Sequence, residues 1–154
     1  IIYIIFVYFY VVYSTISKIR FCRLFKWFNL FFYLLSLYFS GDSGFDTHFK
    51  TIGDKYGPFD ITFIENGQYD LKWKEVHVLP EETAQAFIDL KGKRLVPVHW
   101  GMFDLSLHSW FDPIERLEKE AEKRNLNLLT PKFGQIVKLE EETIFEKWWK
   151  SFIK

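Results

Sequence analysis

Before Gly41 the chain contains no aspartate, glutamate, histidine, glycine, proline or alanine. Without acids or histidines, that stretch offers no carboxylate or imidazole to a metal, and without Gly, Pro or Asn-Gly it carries no turn chemistry. Cysteine is nearly absent as well. Cys22 alone excludes an internal disulfide, and with no Cys-x-x-Cys there is no thiolate zinc site, so any metal must sit on histidine and carboxylate. A basic patch is lacking too: Lys18, Arg20, Arg23 and Lys26 precede Gly41 without an acid among them, which leaves 16 basic against 20 acidic residues beyond it. A mildly acidic domain is ill suited to phosphate backbones, which excludes nucleic acid as a partner. A length of 154 residues suits one domain with a real core.

What is there divides in two. Residues 1–39 are almost entirely Ile, Phe, Tyr, Leu and Val, opening "IIYIIFVYFYVVYSTI" and, after the basic interlude, resuming "FNLFFYLLSLYF", with residues 1–36 as a hydrophobic segment before the domain. One reading is a membrane anchor through residues 1–35. The first run only reaches the bottom of the roughly 17–25 apolar residues a span needs, although the following basic residues suit a cytoplasmic flank. A second is buried strands, which the β-branched and aromatic content favours and the missing turn signals oppose. The third is a truncated or frame-shifted stretch that rejoins the true frame near Leu37, since Phe, Ile, Tyr, Leu, Asn and Lys are what A/T-only codons encode and the chain opens on Ile1. We take the third, with residues 37–154 as the domain and the cytoplasm as its location; a membrane-anchored location is the alternative. No basic n-region or small-residue cleavage site marks a secretory signal.

From Leu37 the chain reads as α/β. "SLYFSGD" and "FDITFIENG" predict strands, the second with Phe59, Ile61 and Phe63 alternating. "LPEETAQAFIDLKG" predicts a helix with Pro80 at its first position, Glu81 and Glu82 at the positive end of the dipole, Gly92 as its stop, and Ala84, Phe87 and Ile88 on one face. "RLVPVH" predicts a strand whose Pro97 calls for an edge or a strand end. Asp112-Pro113-Ile114-Glu115 predicts a second helix capped by Asp112, with Ile114, Leu117 and Ala121 as its apolar stripe. "LNLLTP" and "GQIVKL" predict short strands, and residues 140–154 a terminal helix packing Trp148, Trp149, Phe152 and Ile153 onto the body.

All four histidines, His48, His77, His99 and His108, lie beyond Gly41. Asp42 and His99 each end an apparent strand and precede a Gly turn, the position at which side chains of an α/β sheet converge on a ligand. Taken alone, Asp42 is as well explained as a turn residue and His99 as a hydrogen-bonded strand end. His77 stands just before the "LPEET" helix, where backbone N–H groups favour anions; a plain helix-entry residue is the competing reading. His48 and His108 read as surface residues or as supports behind a site.

In order and spacing, "YFSGDSGFDTHF", "FDITFIENGQY", "HVLPEETAQAFIDLKGKRLVPVHWGMFDLSLH" and "DPIERL" together resemble the C-terminal half of metallo-β-lactamase superfamily hydrolases, nearest the branch that includes N-acyl-phosphatidylethanolamine phospholipase D. The resemblance covers about Leu37 to Leu139. It implies an αββα sandwich, incomplete here, with a two-metal site, usually zinc, between the sheets, and a small-molecule or lipid substrate hydrolysed by a metal-activated water. It further implies that Asp42 bridges the metals, that His99 is a metal ligand, and that His77 contacts the scissile group. Glu65, Asn66, Gln68 and Tyr69 fall on a loop bordering the pocket, without assigned roles. The family's HxHxDH motif stands nowhere in this sequence, and its pattern needs five histidine ligands where four histidines exist, so no turnover is expected of this chain itself. A membrane-tethered, non-catalytic binding protein is the alternative function.

Overall fold

The β-rich run that ends at Glu65 forms the centre of a three-stranded parallel sheet. In the computed structural model, which describes residues 35–101, 106–139, 141 and 144–153, the strands are β1 (Leu37–Phe39), β2 (Ile61–Glu65) and β3 (Leu95–Val98), in that spatial order. Leu37 pairs with Ile61 and Phe39 with Phe63 on one side, Thr62 with Leu95 and Glu65 with Val98 on the other. Parallel neighbours need crossovers, and helices supply them: α1 (His48–Tyr56) between β1 and β2, and α2 (Pro80–Asp89) between β2 and β3. A third helix, α3 (Asp112–Arg124), follows β3. The architecture is α/β, as expected. The hydrophobic segment at residues 1–34 lies outside the described residues, and among those described no helix is long and apolar enough to cross a membrane.

The sheet is apolar on both faces. Towards the helices, Phe59, Ile64 and Leu95 pack with Phe49, Ala84, Ala86, Phe87, Leu90 and Leu117. On the other face Ile61, Phe63, Val96 and Leu129 form a second cluster against Val98, Val137, Leu139 and Phe145. Every residue of β2 is therefore buried, as a strand covered on both faces requires. Phe59 does not share a face with Ile61 and Phe63: it sits in an isolated bridge to Gly92 before the regular strand begins.

α2 starts at Pro80, and the Glu82 carboxylate accepts from the Leu79 N–H. Ile88 does not belong to its buried face. The stripe runs through Pro80, Thr83, Ala84, Phe87 and Leu90, so position 88 falls beyond its edge and is 42% exposed. Gly92 acts by its lack of a side chain rather than as the left-handed residue, a role taken by Lys91 (φ 56°): a Cβ at 92 would stand 2.5 Å from the Phe87 ring. Asp112 is not the cap of α3. Phe111 precedes the helix, and the Asp112 carboxylate accepts from the Tyr69 hydroxyl instead. Among the described residues Pro97 costs β3 no ladder bond, because on the side away from β2 that strand meets the bridge from Leu95 to Leu128 and nothing at position 97. That bridge is all that remains of the strand expected in "LNLLTP"; "GQIVKL" forms no strand, and among the tail's described residues the regular element is a 3₁₀ helix at Trp148–Phe152. Trp149 is nonetheless buried, its Nε1 donating to Glu115 Oε1 at 2.6 Å, whereas Phe152 stays 66% exposed, so the expected aromatic packing is met at Trp149 and not at Phe152.

Candidate metal-binding site

Parallel strands bring their C-terminal ends to one edge of the sheet, and three acid or histidine side chains gather there. Past β1 the chain continues the ladder for one bond, Ser40 N–H to Phe63 O at 2.9 Å, turns at Gly41 (φ 61°) and presents Asp42. Glu65 is the last residue of β2. His99 follows β3 with φ 64°, a left-handed conformation uncommon outside glycine, which turns it out of the strand direction. A fourth side chain, His77, arrives from the loop before α2, its N–H bonded to Trp73 O at 3.1 Å. One ligand-capable atom from each of Asp42, Glu65, His77 and His99 lies within 4.8 Å of all the others.

Within the cluster, His77 Nδ1 is 2.5 Å from Glu65 Oε1, while His99 Nδ1 is 3.6 Å from Asp42 Oδ1 and 3.7 Å from Glu65 Oε1. The His77 and His99 rings stand 5.3 Å apart. The Glu65 carboxylate is the largest influence on His99 and raises its pKa; burial works against the shift, and Asp42 adds to it. Glu65 is fully buried, His77 largely so, and the side chains of Asp42 and His99 remain 56% and 35% exposed. An ion arriving from solvent therefore meets Asp42 and His99 first.

The backbone at His99 is held by a close approach. A Cβ on Gly67 would lie 1.4 Å from the His99 carbonyl oxygen, so only glycine lets the turn after β2 pass this strand end. The neighbouring Asn66 donates its N–H to Val98 O at 2.9 Å and its Nδ2–H to Pro113 O at 3.0 Å. These contacts correct the expectation for Asn66 and Tyr69. Tyr69 stacks on His108 at 4.0 Å, donates to Asp112 and lies under Arg116, so both residues tie their loop to α3 and do not face the cluster. His48 supports the site from behind: its Nε2 is 3.1 Å from Ser43 Oγ, next to Asp42, and burial lowers its pKa. At the entrance to α2 the Glu82 carboxylate occupies the Leu79 N–H.

Two carboxylates and two imidazoles are donors of the hard and borderline kind that suit a first-row divalent ion. In number they suffice for one such ion at most. Shared between two they would supply two donors each, fewer than the three protein ligands a hydrolytic zinc normally takes. Sequence reasoning assigned Asp42, His99 and His77 roles and left Glu65 without one; its signal was a carboxylate closing an otherwise apolar strand, "FDITFIE".

Residues 27–100 match the family model of the beta-lactamase superfamily domain. The chain belongs to the metallo-β-lactamase superfamily. That superfamily includes metal-dependent hydrolases, and all four clustered residues fall inside the matched span. Among relatives, the chain is 39% identical over 116 residues to an uncharacterized protein of Mycobacterium tuberculosis, covering 73% of this chain and 31% of that one. It is 54% identical over 65 residues to the outer membrane protein RomA of Klebsiella pneumoniae, covering 42% of this chain and 49% of RomA. Over 107 residues it is 31% identical to the N-acyl-phosphatidylethanolamine-hydrolyzing phospholipase D 1 of Caenorhabditis elegans, covering 64% of this chain and 30% of that protein. The chain thus spans a third to a half of the length of the superfamily relatives it matches.

Proposed function

We propose that this chain carries part of the active site of a zinc-dependent hydrolase whose substrate is a phosphodiester, a phospholipid among the candidates. The observation that supports this most is the convergence of Asp42, Glu65, His77 and His99, from four separate segments, within 4.8 Å. Asp42 and His99, the solvent-facing pair, are the residues to hold the metal. When bound, the metal would bring the pKa of a coordinated water towards neutrality and polarise the scissile group as a Lewis acid. His77 lies in the same cluster and would contact the scissile group, where an imidazole can take or return a proton. The likeness to the phospholipase D of C. elegans supports a lipid or small phosphodiester over other substrate classes.

The HxHxDH motif of the family is not in the 154 residues, so this chain alone is expected to hold a metal weakly and turn nothing over. The test is to read the upstream DNA in all three frames for HxHxDH, express the extended protein with zinc, and assay bis(p-nitrophenyl) phosphate and N-acyl-phosphatidylethanolamine vesicles. Hydrolysis by the extended protein that is lost in Asp42→Asn and His99→Gln is the expected result. An upstream sequence without the motif in any frame, or activity indifferent to Asp42 and His99, counts against the reading.

A further inference from the structure

Glu65 is a carboxylate with no exposed surface, held from three directions. Its N–H donates to Ser40 Oγ at 2.9 Å, its carbonyl accepts from Thr83 Oγ1 at 2.8 Å, and its Oε2 lies 3.4 Å from the Ser43 N–H. The first two bonds hold its backbone, the Ser43 N–H orients its carboxylate, and Oε1 meets His77 Nδ1 at 2.5 Å. A carboxylate oxygen accepts in such a bond, so Nδ1 of His77 carries the hydrogen and, in the neutral ring, Nε2 carries the lone pair.

We infer that Glu65 is a positioning residue: its buried carboxylate holds His77 as the Nδ1–H tautomer and leaves Nε2 as the atom that handles a proton at the scissile group, while Asp42 and His99 take the metal. The inference rests on the hydrolase reading for the scissile group, and goes beyond it in assigning a residue, a tautomer and an atom. The rival assignment makes all four side chains ligands of one ion, and the distances argue against it. Two ligand atoms about 2.0–2.1 Å from one tetrahedral ion stand about 3.3 Å apart. His99 Nδ1 stands 3.6 Å from Asp42 Oδ1 and 3.7 Å from Glu65 Oε1, both near that spacing, but Glu65 Oε1 and His77 Nδ1, at 2.5 Å, are too close to ligate one ion together and have the length of a strong hydrogen bond. Burial divides the four in the same way, with Glu65 and His77 inside and Asp42 and His99 open to solvent.

The test needs no turnover. Chelator-treated, ¹⁵N-histidine-labelled chain is observed by long-range ¹H–¹⁵N correlation about two pH units above the ordinary imidazole value of about 6.5, with signals assigned by His77→Gln and His99→Gln. The expected spectrum has His77 protonated at Nδ1 and bare at Nε2. Glu65→Leu should move the ring to a mixture in which Nε2–H is prominent, and Glu65→Gln, of the same shape and still offering a carbonyl oxygen, should keep Nδ1–H. Addition of Zn²⁺ should shift the His99 signals and leave the His77 pattern in place. Wild-type His77 protonated at Nε2, or loss of its Nδ1 proton when Zn²⁺ is added, overturns the proposal, and both are read on wild-type chain even if Glu65→Leu fails to fold. An extended protein that hydrolyses nothing while His77 shows the Nδ1–H form sinks the hydrolase reading and leaves the hold of Glu65 on the His77 tautomer standing.

Discussion

Gly67→Ala is the substitution that most sharply tests how His99 is held. The added Cβ would lie 1.4 Å from the His99 carbonyl oxygen, 2.3 Å from its carbonyl carbon and 3.0 Å from the Trp100 nitrogen, all backbone atoms of the segment that carries the site. Ordinary contact between such atoms is about 3.5 Å, so the two segments must separate by on the order of 2 Å. Neither can do so freely. The Asn66 N–H is bonded to Val98 O at 2.9 Å, and the Asn66 side chain is anchored on Pro113 O. Overpacking of this kind typically costs about 1–3 kcal/mol. Displacing His99 by even half of 2 Å breaks its spacing to Asp42 and Glu65, and a disturbed support of this sort lowers metal affinity by about 10- to 100-fold. Urea unfolding followed by tryptophan fluorescence and zinc titration against a chromogenic chelator would measure the two effects. Gly101→Ala is the control: its φ of 75° strains an alanine, but nothing lies within 4 Å of the added atom, so it should destabilise without the loss of metal affinity. A Gly67→Ala protein with unchanged midpoint and unchanged zinc affinity would refute the reasoning.

Further outcomes follow from the same contacts. Burial opposes ionisation of Asp60, but the Ser36 N–H and hydroxyl and the Lys93 ammonium outweigh it and hold its pKa down to about 2, against an ordinary 3.8. Its stabilisation is therefore complete above about pH 4 and lost as the pH falls towards 2. After discounting for the half-exposed Lys93 it is worth about 1 kcal/mol, so an acid titration of Asp60→Asn should lack that part of the wild-type slope. The raised pKa of His99 means a proton competes with metal at that ring, so zinc uptake measured by calorimetry should release a proton and strengthen as the pH rises past 6.5. Trp149→Phe removes the donor to Glu115 Oε1 and part of a buried ring, and should cost about 1–3 kcal/mol in denaturant unfolding. Phe87→Ala, in the cluster between α2 and the sheet, should cost about 3–5 kcal/mol by the same measurement.

Local chemistry made β2, α2 and α3 legible. "FDITFIE" has the apolar density of a buried strand, and Pro80 and Pro113 mark helix entries that their missing N–H groups allow. What local chemistry cannot show is pairing. "LNLLTP" has strand propensity but finds a single bridge at Leu95, and the aromatic tail reaches its burial through Trp149 without forming the expected helix. Asp112 reads as a cap until Tyr69, 43 residues earlier in sequence, is seen to take its carboxylate. For the site, strand-end position and family resemblance pointed to Asp42 and His99, and the structure brings both to one cluster with His77. Glu65 escaped because its partners, Ser40, Ser43, His77 and Thr83, come from three other segments and no spacing in the sequence joins them.

The most direct test of the central claim, that this sheet edge is a metal site, is a zinc titration of the 154-residue chain against a competing chelator, repeated with Asp42→Asn and His99→Gln. The account requires one ion per chain, bound weakly, with affinity at least about tenfold lower in each variant. A chain that takes up no zinc, or takes it up equally well without Asp42 and His99, would contradict it.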